Sequence, residues 1–292
     1  APHFKIFWTQ LLQTGVYSRA AGQNDLSRVD DSQRAVAALR PLSTPNAGLS
    51  LTLYDKVGIR DGRNANNPWL QELPDPITKV TWDNYVSIAS STAQALGLAQ
   101  NQVVELHANG ASVELPVYIQ PGQHPDVVGV AMGYGQKGIG AIGNDIGQNA
   151  AVFLSGNSSY PRWDGIAVQI KKTGQIHKLA CTQEHHYLEG RPIVLEQSLS
   201  QYRQNPQASA ASQEPVDTLW SGHEYKTYRW GLAIDLNSCT GCSACVTACQ
   251  AENNIPCVGR EEVGRNRDMH WLRIDRYYSR DEAQPWVIHQ PM

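Results

Sequence analysis

From Leu49 to Tyr54 the chain reads Leu-Ser-Leu-Thr-Leu-Tyr, apolar at every second position. That alternation marks a half-buried β-strand. Two further strands, Val103–His107 and Ser112–Ile119, flank Asn109-Gly110, a pair that accepts the positive φ angles of a two-residue hairpin. Val127–Met132 is a buried-type apolar strand, and Val86–Ala89 is a shorter one. Between them Ser91–Leu96 predicts one or two helical turns closed by Gly97. Short strands separated by regular turns predict a barrel or sandwich. Upstream, weaker helical periodicity covers Phe4–Tyr17 and Ser27–Leu39; Asp30 and Asp31 lie near the second helix's first turn and Arg34 further on, as the helix dipole favours. Residues 133–150 are rich in glycine, and residues 175–228 show little periodicity, with Gln201–Glu214 polar enough for an exposed linker. From Trp230 a new unit starts, with a short strand at Gly231–Asp235, a cysteine cluster, a helix, and a strand at Trp271–Tyr278. The expected class is α+β, mainly β. It divides into a helical lead-in (1–46), a barrel-like domain (47–175), an irregular linker (176–228) and an incomplete cysteine-bearing segment (229–292).

Composition narrows the function. Charged residues are 17% of the 292 and the net charge is −3. A nucleic-acid binder is normally clearly basic, so that class is set aside. Such a low-charge surface suits a chain partly covered by partners. No apolar run approaches the ~20 residues of a membrane span. The start, Ala-Pro-His-Phe-Lys-Ile-Phe-Trp, has neither a secretory pattern nor an initiator Met. The chain is therefore expected to be an internal part of a longer polypeptide.

The chemistry lies in the cysteines. Of six, four fall in one tight run, Cys239, Cys242, Cys245 and Cys249, spaced Cys-x2-Cys-x2-Cys-x3-Cys. This is the bacterial ferredoxin spacing for iron–sulfur ligation. Three thiolates at three-residue intervals wrap one face of a cubane cluster from a loop. Gly241 lets that loop bend and turn its N–H groups toward the sulfurs, which offsets the cluster's negative charge. The fourth cysteine is expected to open a helix pointing away and to ligate a neighbouring cluster. Zinc prefers Cys-x2-4-Cys knuckles separated by a longer gap, which this spacing does not supply. Cys181 and Cys257 stand off-pattern and read as small buried hydrophobes. Cys239, Cys242 and Cys245 lack a fourth ligand and Cys249 lacks three partners, so the missing cysteines are expected in a continuation of the polypeptide or in another chain.

Weaker signals have plainer readings. Gly133–Gly138 and Gly138–Gly143 both match Gly-x-Gly-x-x-Gly. Neither is followed by a helix within a βαβ unit, so a loop leaving a barrel strand is preferred to a dinucleotide site. His185-His186, between Glu184 and Glu189, reads as a surface or capping pair rather than as metal ligands. Arg260, Arg265, Arg267, Arg273, Arg276 and Arg280 read as a solvated face, with docking to an acidic partner such as a cytochrome as the functional alternative.

The run Cys239–Pro256 resembles the iron–sulfur subunits that accompany dimethyl sulfoxide and polysulfide reductases. Val80–Ile88, Ala95–Leu98, Val103–Leu106, Val113–Tyr118 and Gln120–Val128 look like the C-terminal molybdopterin-dinucleotide-binding domain, a double-psi β-barrel. Fused in this order, together with Asp61–Trp82 and His185–Val194, they resemble the fused molybdopterin-oxidoreductase-like and ferredoxin-like component of alternative complex III, a quinol-oxidising membrane complex. The resemblance covers about residues 49–292. It implies a relay on the periplasmic face of the bacterial inner membrane. That relay takes electrons from a polysulfide-reductase-like quinol-binding membrane subunit and passes them to multihaem and monohaem cytochrome c subunits. The clusters would be mainly 4Fe–4S, some 3Fe–4S, and molybdopterin absent. One alternative is a catalytic molybdopterin-dependent oxidoreductase with a fused iron–sulfur domain, its Gly133–Gly147 loop touching the pterin nucleotide. Another is a structural module with a zinc knuckle.

Overall fold

The structure is a computed structural model; it describes residues 2–14, 48–157, 160–191, 193, 197–207, 219–236, 238–279 and 287–291. By contacts the chain divides into Ala1–Pro45 and Asn46–Met292. The described part of the first unit is helix α1 (Pro2–Thr14), whose Phe4, Ile6, Trp8 and Leu12 are exposed. The helix expected at Ser27–Leu39 lies outside the described residues.

The second unit is built on a seven-stranded mixed sheet. In chain order its elements are β1 (Ser50–Tyr54), α2 (Pro68–Glu72), β2 (Val86–Ile88), α3 (Ser90–Leu96), β3 (Gln102–Ala108), β4 (Ala111–Ile119) and β5 (Val127–Ala131). A 3-10 turn at Ala150–Phe153 follows, then β6 (Ser155–Asn157), β7 (Tyr160–Arg162), β8 (Ile166–Ala167) and β9 (Gln169–Ile176). The strand order is β8-β1-β5-β2-β4-β3-β9, with β1–β5 and β2–β4 parallel and the other pairs antiparallel. Beyond the sheet lie α4 (Leu199–Gln204), α5 (Ala244–Glu252), α6 (Arg260–Val263), β10 (Ile274–Tyr278) and β11 (Val287–Pro291).

Local chemistry explains these elements. Strand β1 buries Leu51 and Leu53 and leaves Ser50, Thr52 and Tyr54 half-covered, following its alternating sequence. Asn109 and Gly110 turn β3 into β4 with φ of 50° and 76°, as a type I′ hairpin requires. Gly97 closes α3 in the left-handed conformation, its N–H bonded to the carbonyls of Ala93 and Gln94. Asn67 caps α2 by accepting the Trp69 N–H, and Pro68 occupies the first turn, where its missing N–H costs nothing. The sheet curls round one core that includes Leu51, Val86, Ile88, Val104, Leu106, Leu115, Val117, Val128, Val130 and Phe153. Each fully buried side chain of this size contributes about 1.5–3 kcal/mol.

A band of buried polar groups gathers around residues 75–84. One Asp75 carboxylate oxygen accepts from the Ile77 N–H, the Thr78 N–H and the Thr78 hydroxyl. The Thr78 hydroxyl also meets Tyr85 Oη at 2.6 Å. Lys56 Nζ donates to the Asp83 carbonyl and to Tyr134 Oη, and lies 4.7 Å from the centre of the Tyr85 ring. Its burial favours the neutral amine.

Lys79 sits in the same band, buried, with Nζ 2.7 Å from the Pro76 carbonyl. Burial, reinforced by the charge of Arg276, pushes its ammonium down to about 8. Between pH 8 and the ordinary lysine range the unfolded chain therefore binds more protons than the folded one, and stability rises with pH. The rise is on the order of 3 kcal/mol at 1.36 kcal/mol per pKa unit. Lys79→Met is expected to remove it, read as a flatter denaturation midpoint from pH 8 to 10.5 than in the wild type.

Candidate metal centre

The chain reaches the cysteines along 228–235 without regular secondary structure. Trp230 and Leu232 are 96% and 70% exposed. The strand expected at Gly231–Asp235 is not formed, because among the described residues no neighbouring strand offers it a ladder. The Asp235 carbonyl accepts the N–H groups of Ser238 and Cys239 at 3.1 Å, and its carboxylate accepts the Ser238 hydroxyl at 2.9 Å. This turn sets the position of Cys239. Gly241 and Ser243 then adopt left-handed φ of 68° and 61°, folding the loop tightly on both sides of Cys242. The Ala244 N–H and the Thr240 hydroxyl point at the Cys242 sulfur and hold its thiol below the usual range.

Helix α5 starts at Ala244, earlier than expected. It carries Cys245 in its first turn and Cys249 four residues later, so the fourth cysteine lies within the helix rather than opening one. Residues at i and i+4 share a helix face. Asn253 Nδ2 approaches the Cys249 sulfur at 3.4 Å. The neighbouring face, about 100° round the helix at 3.6 residues per turn, buries Val246 and Gln250.

The donor set fits an iron–sulfur cluster in its chemistry. Cys239, Cys242 and Cys245 are exposed thiols and Cys249 is half-buried; all four are unpaired by disulfides. Exposed thiols are accessible to a metal, and at Cys242 the N–H and hydroxyl donors also favour the thiolate that ligates. The geometry is open, for among the described residues no three His, Cys, Asp or Glu side chains converge as metal ligands. Cys257 differs in kind. Burial and the neighbouring Glu72 carboxylate push its thiol up to about 12, and its sulfur donates to the Pro68 carbonyl and to Glu72 Oε2. It is a structural thiol, as its off-pattern place suggests.

Two buried charged residues seat this segment on the sheet: Glu72, which sequence reasoning passed over, and Arg276, which it placed on a solvated face and which is instead buried because neutral acceptors from distant loops and strands enclose its guanidinium. Glu72, at the end of α2 and 1% exposed, accepts the Val258 N–H at 3.0 Å, the Gly259 N–H at 2.7 Å and Trp82 Nε1 at 3.3 Å. Arg276, in β10 and 1% exposed, donates to the Thr78 carbonyl, Tyr118 Oη and Gln183 Oε1. Gln120 Nε2 adds a bond to Tyr278 Oη at 2.7 Å. No local pattern announces these roles, since the partners lie more than ninety residues apart in most cases.

The remaining candidates resolve plainly. The glycine-rich loop folds onto the loop at 58–67: Asn66 Oδ1 accepts the N–H groups of Ile142 and Gly143. A Cβ on Gly133 would stand 2.5 Å from the Arg60 carbonyl oxygen, and one on Gly135 2.3 Å from the Asn149 nitrogen. These glycines serve close packing of the chain on itself. His185 faces Glu189 at 3.4 Å, while His186 packs edge-on to Tyr278. Burial, with Arg276 nearby, pushes His186 down to about 4. The arginine stretch is largely ion-paired: Arg260 with Asp83, Arg265 and Arg267 with Glu262, and Arg273 with Asp275. Arg280 lies outside the described residues. Cys181 is pushed up to about 11, by burial first.

Comparison with known proteins agrees with both halves. Residues 58–160 match the molydopterin dinucleotide binding domain. The chain is 39% identical over 61 residues to the iron–sulfur cluster-binding subunit of menaquinone reductase from Nitratidesulfovibrio vulgaris, covering 21% of this chain and 22% of that one. It is 54% identical over 26 residues to the iron–sulfur subunit of arsenate respiratory reductase from Chrysiogenes arsenatis, covering 9% of this chain and 87% of that short sequence. The chain thus spans about a fifth of the menaquinone reductase subunit's length (22%). Acetylene hydratase from Pelobacter acetylenicus overlaps with a TM-score of 0.34 at 17% identity, over 56% of this chain and 22% of that one.

Proposed function

We propose, from the premise that this chain carries a molydopterin dinucleotide binding domain and belongs with the iron–sulfur subunits of reductases, that it is an electron-transfer subunit of a membrane-bound quinol:acceptor oxidoreductase. The observation that carries the proposal is the Cys239, Cys242, Cys245, Cys249 run, folded as a tight loop and a helix and held on the sheet by Glu72 and Arg276. Cys239, Cys242 and Cys245 would hold one cluster and Cys249 a neighbour, with the other ligands supplied by the rest of the polypeptide. Bound there, the clusters supply one-electron carriage. The chain's own residues fix the ligand loop, screen its thiolates with N–H and hydroxyl groups, and keep the helix at a set distance from the sheet. No general acid or base is required of them.

In the finer form of this reading the protein is the fused iron–sulfur component of an alternative complex III at the periplasmic face of the inner membrane. Its sheet domain is a double-psi β-barrel that serves as scaffold without molybdopterin. Its neighbours are a polysulfide-reductase-like quinol-binding membrane subunit and multihaem and monohaem cytochromes c. A catalytic molybdopterin enzyme is the second reading, favoured by the domain match at residues 58–160.

Elemental analysis of the purified native assembly separates the two. Non-haem iron and acid-labile sulfide in excess, without molybdenum or tungsten, are the expected result. Stoichiometric molybdenum or tungsten would move the chemistry into the sheet domain. Zinc without sulfide would overturn the iron–sulfur reading altogether.

A further inference from the structure

Arg276 poses a question that its role as an anchor does not answer. Its three hydrogen-bond acceptors, Gln183 Oε1 at 2.9 Å, the Thr78 carbonyl at 3.1 Å and Tyr118 Oη at 2.8 Å, are all neutral. Among the described residues no carboxylate lies within ion-pairing distance of its guanidinium, and its Nε is buried without an acceptor. A buried charge is costly unless it is paired, and a buried donor without an acceptor adds to that cost. Arg276 also lines a cavity of about 680 Å³, within the size range of small-ligand sites. Leu98, Ile119 and Leu179 form part of its wall, and Lys178 stands at its exposed rim. The carboxylate at that rim, Glu184, is held by Lys178 at 3.8 Å and is itself largely exposed. His186, pushed down to about 4, is neutral at pH 7 and leaves the deep positive charge to Arg276.

We propose that this cavity binds a small organic oxyanion, its charged oxygens on the guanidinium of Arg276 and its apolar body against Leu98, Ile119 and Leu179. The ligand class is a carboxylate or phosphate monoester carrying a short apolar group. A deep cation, an apolar wall and a second cation at the mouth are complementary to such a molecule. The site stands at the seam between β10 and the sheet, and it does not depend on the cluster assignment.

Cys181 lines the same cavity and is half-buried, so its alkylation reports occupancy in the intact assembly. The purified native assembly is treated with N-ethylmaleimide at pH 8.5, and Cys181 labelling is followed by peptide mass spectrometry. Benzoate or phenyl phosphate is expected to slow labelling several-fold, and neutral benzamide to leave it unchanged. In Arg276→Gln the concentration giving half protection should rise about ten- to hundredfold, the worth of a hydrogen bond to a charged group. Lys178→Glu, on the exposed rim, should raise it several-fold with the fold intact, and it decides the matter if Arg276→Gln does not assemble. No protection by either organic anion overturns the proposal. So does equal protection by benzamide, protection by inorganic phosphate alone, or protection unchanged in Lys178→Glu.

Discussion

Replacing Cys242 with Ser is expected to abolish one cluster's electron paramagnetic resonance signal in the reduced assembly and, on the proposed function, quinol-driven reduction of the acceptor. A serine hydroxyl is a harder ligand and stays protonated where the thiol ionises, so the donor is lost rather than weakened. The scaffold should be untouched. Cys242 is exposed and lies on a loop, meeting Thr240 and the Ala244 N–H. Melting temperature and yield of the variant should therefore match the wild type while the signal disappears. Cys257→Ser is the control: its thiol is pushed up to about 12 and donates to Pro68 and Glu72, so all cluster signals should persist. An unchanged spectrum in Cys242→Ser would sink the ligand assignment.

Glu72→Ala is expected to release the cysteine segment from the sheet. The substitution strands the half-buried N–H groups of Val258 and Gly259 and the buried indole N–H of Trp82, each of which now meets a carboxylate oxygen. Leaving a buried donor unsatisfied costs about 1–3 kcal/mol, so the loss should be about 3 kcal/mol or more. Hydrogen exchange should rise by two orders of magnitude or more at residues 257–263, while β1 and β5 keep their protection. Glu72→Gln keeps the shape and one acceptor oxygen and should cost roughly half as much. Unchanged exchange at Val258 and Gly259 in the alanine variant would show that the latch contributes nothing.

Some of this structure was legible because its causes are local. The β1 alternation, the Asn109-Gly110 turn and the Gly97 cap each depend on a few neighbouring residues, and each appears where expected. Strand β9 escaped notice because Gln-Ile-Lys-Lys-Thr-Gly-Gln-Ile is polar at most positions; it lies at one end of the sheet and half-buries Ile170 and Thr173 against β3. The reverse failure occurs at Gly231–Asp235, where apolar alternation exists and no ladder does. Periodicity declares a tendency to extend, and a neighbouring strand decides whether it becomes sheet. The cysteine spacing was readable, but the start of α5 at Ala244 was not, for Ser243 enters it with a left-handed φ that no residue type signals there. Glu72 went unmarked, and Arg276 read as solvated, for a different reason. A buried charge is defined by partners distant along the chain, and pattern within a window carries no trace of them.

The latch between Glu72 and residues 258–259 joins groups 186 and 187 positions apart, and Arg276 meets Thr78 across 198. A ribosome therefore finishes the sheet domain long before the cysteine loop emerges, since chains are made at about 5–20 residues per second and domains fold as units. The receptor for the loop is in place first. Closing so long a segment costs little more than closing a short one, because the entropy grows only with the logarithm of length. On the proposed function, metallation would begin on a ligand loop already tethered to a finished platform, and a fault in the sheet domain would surface as a defect of cluster assembly.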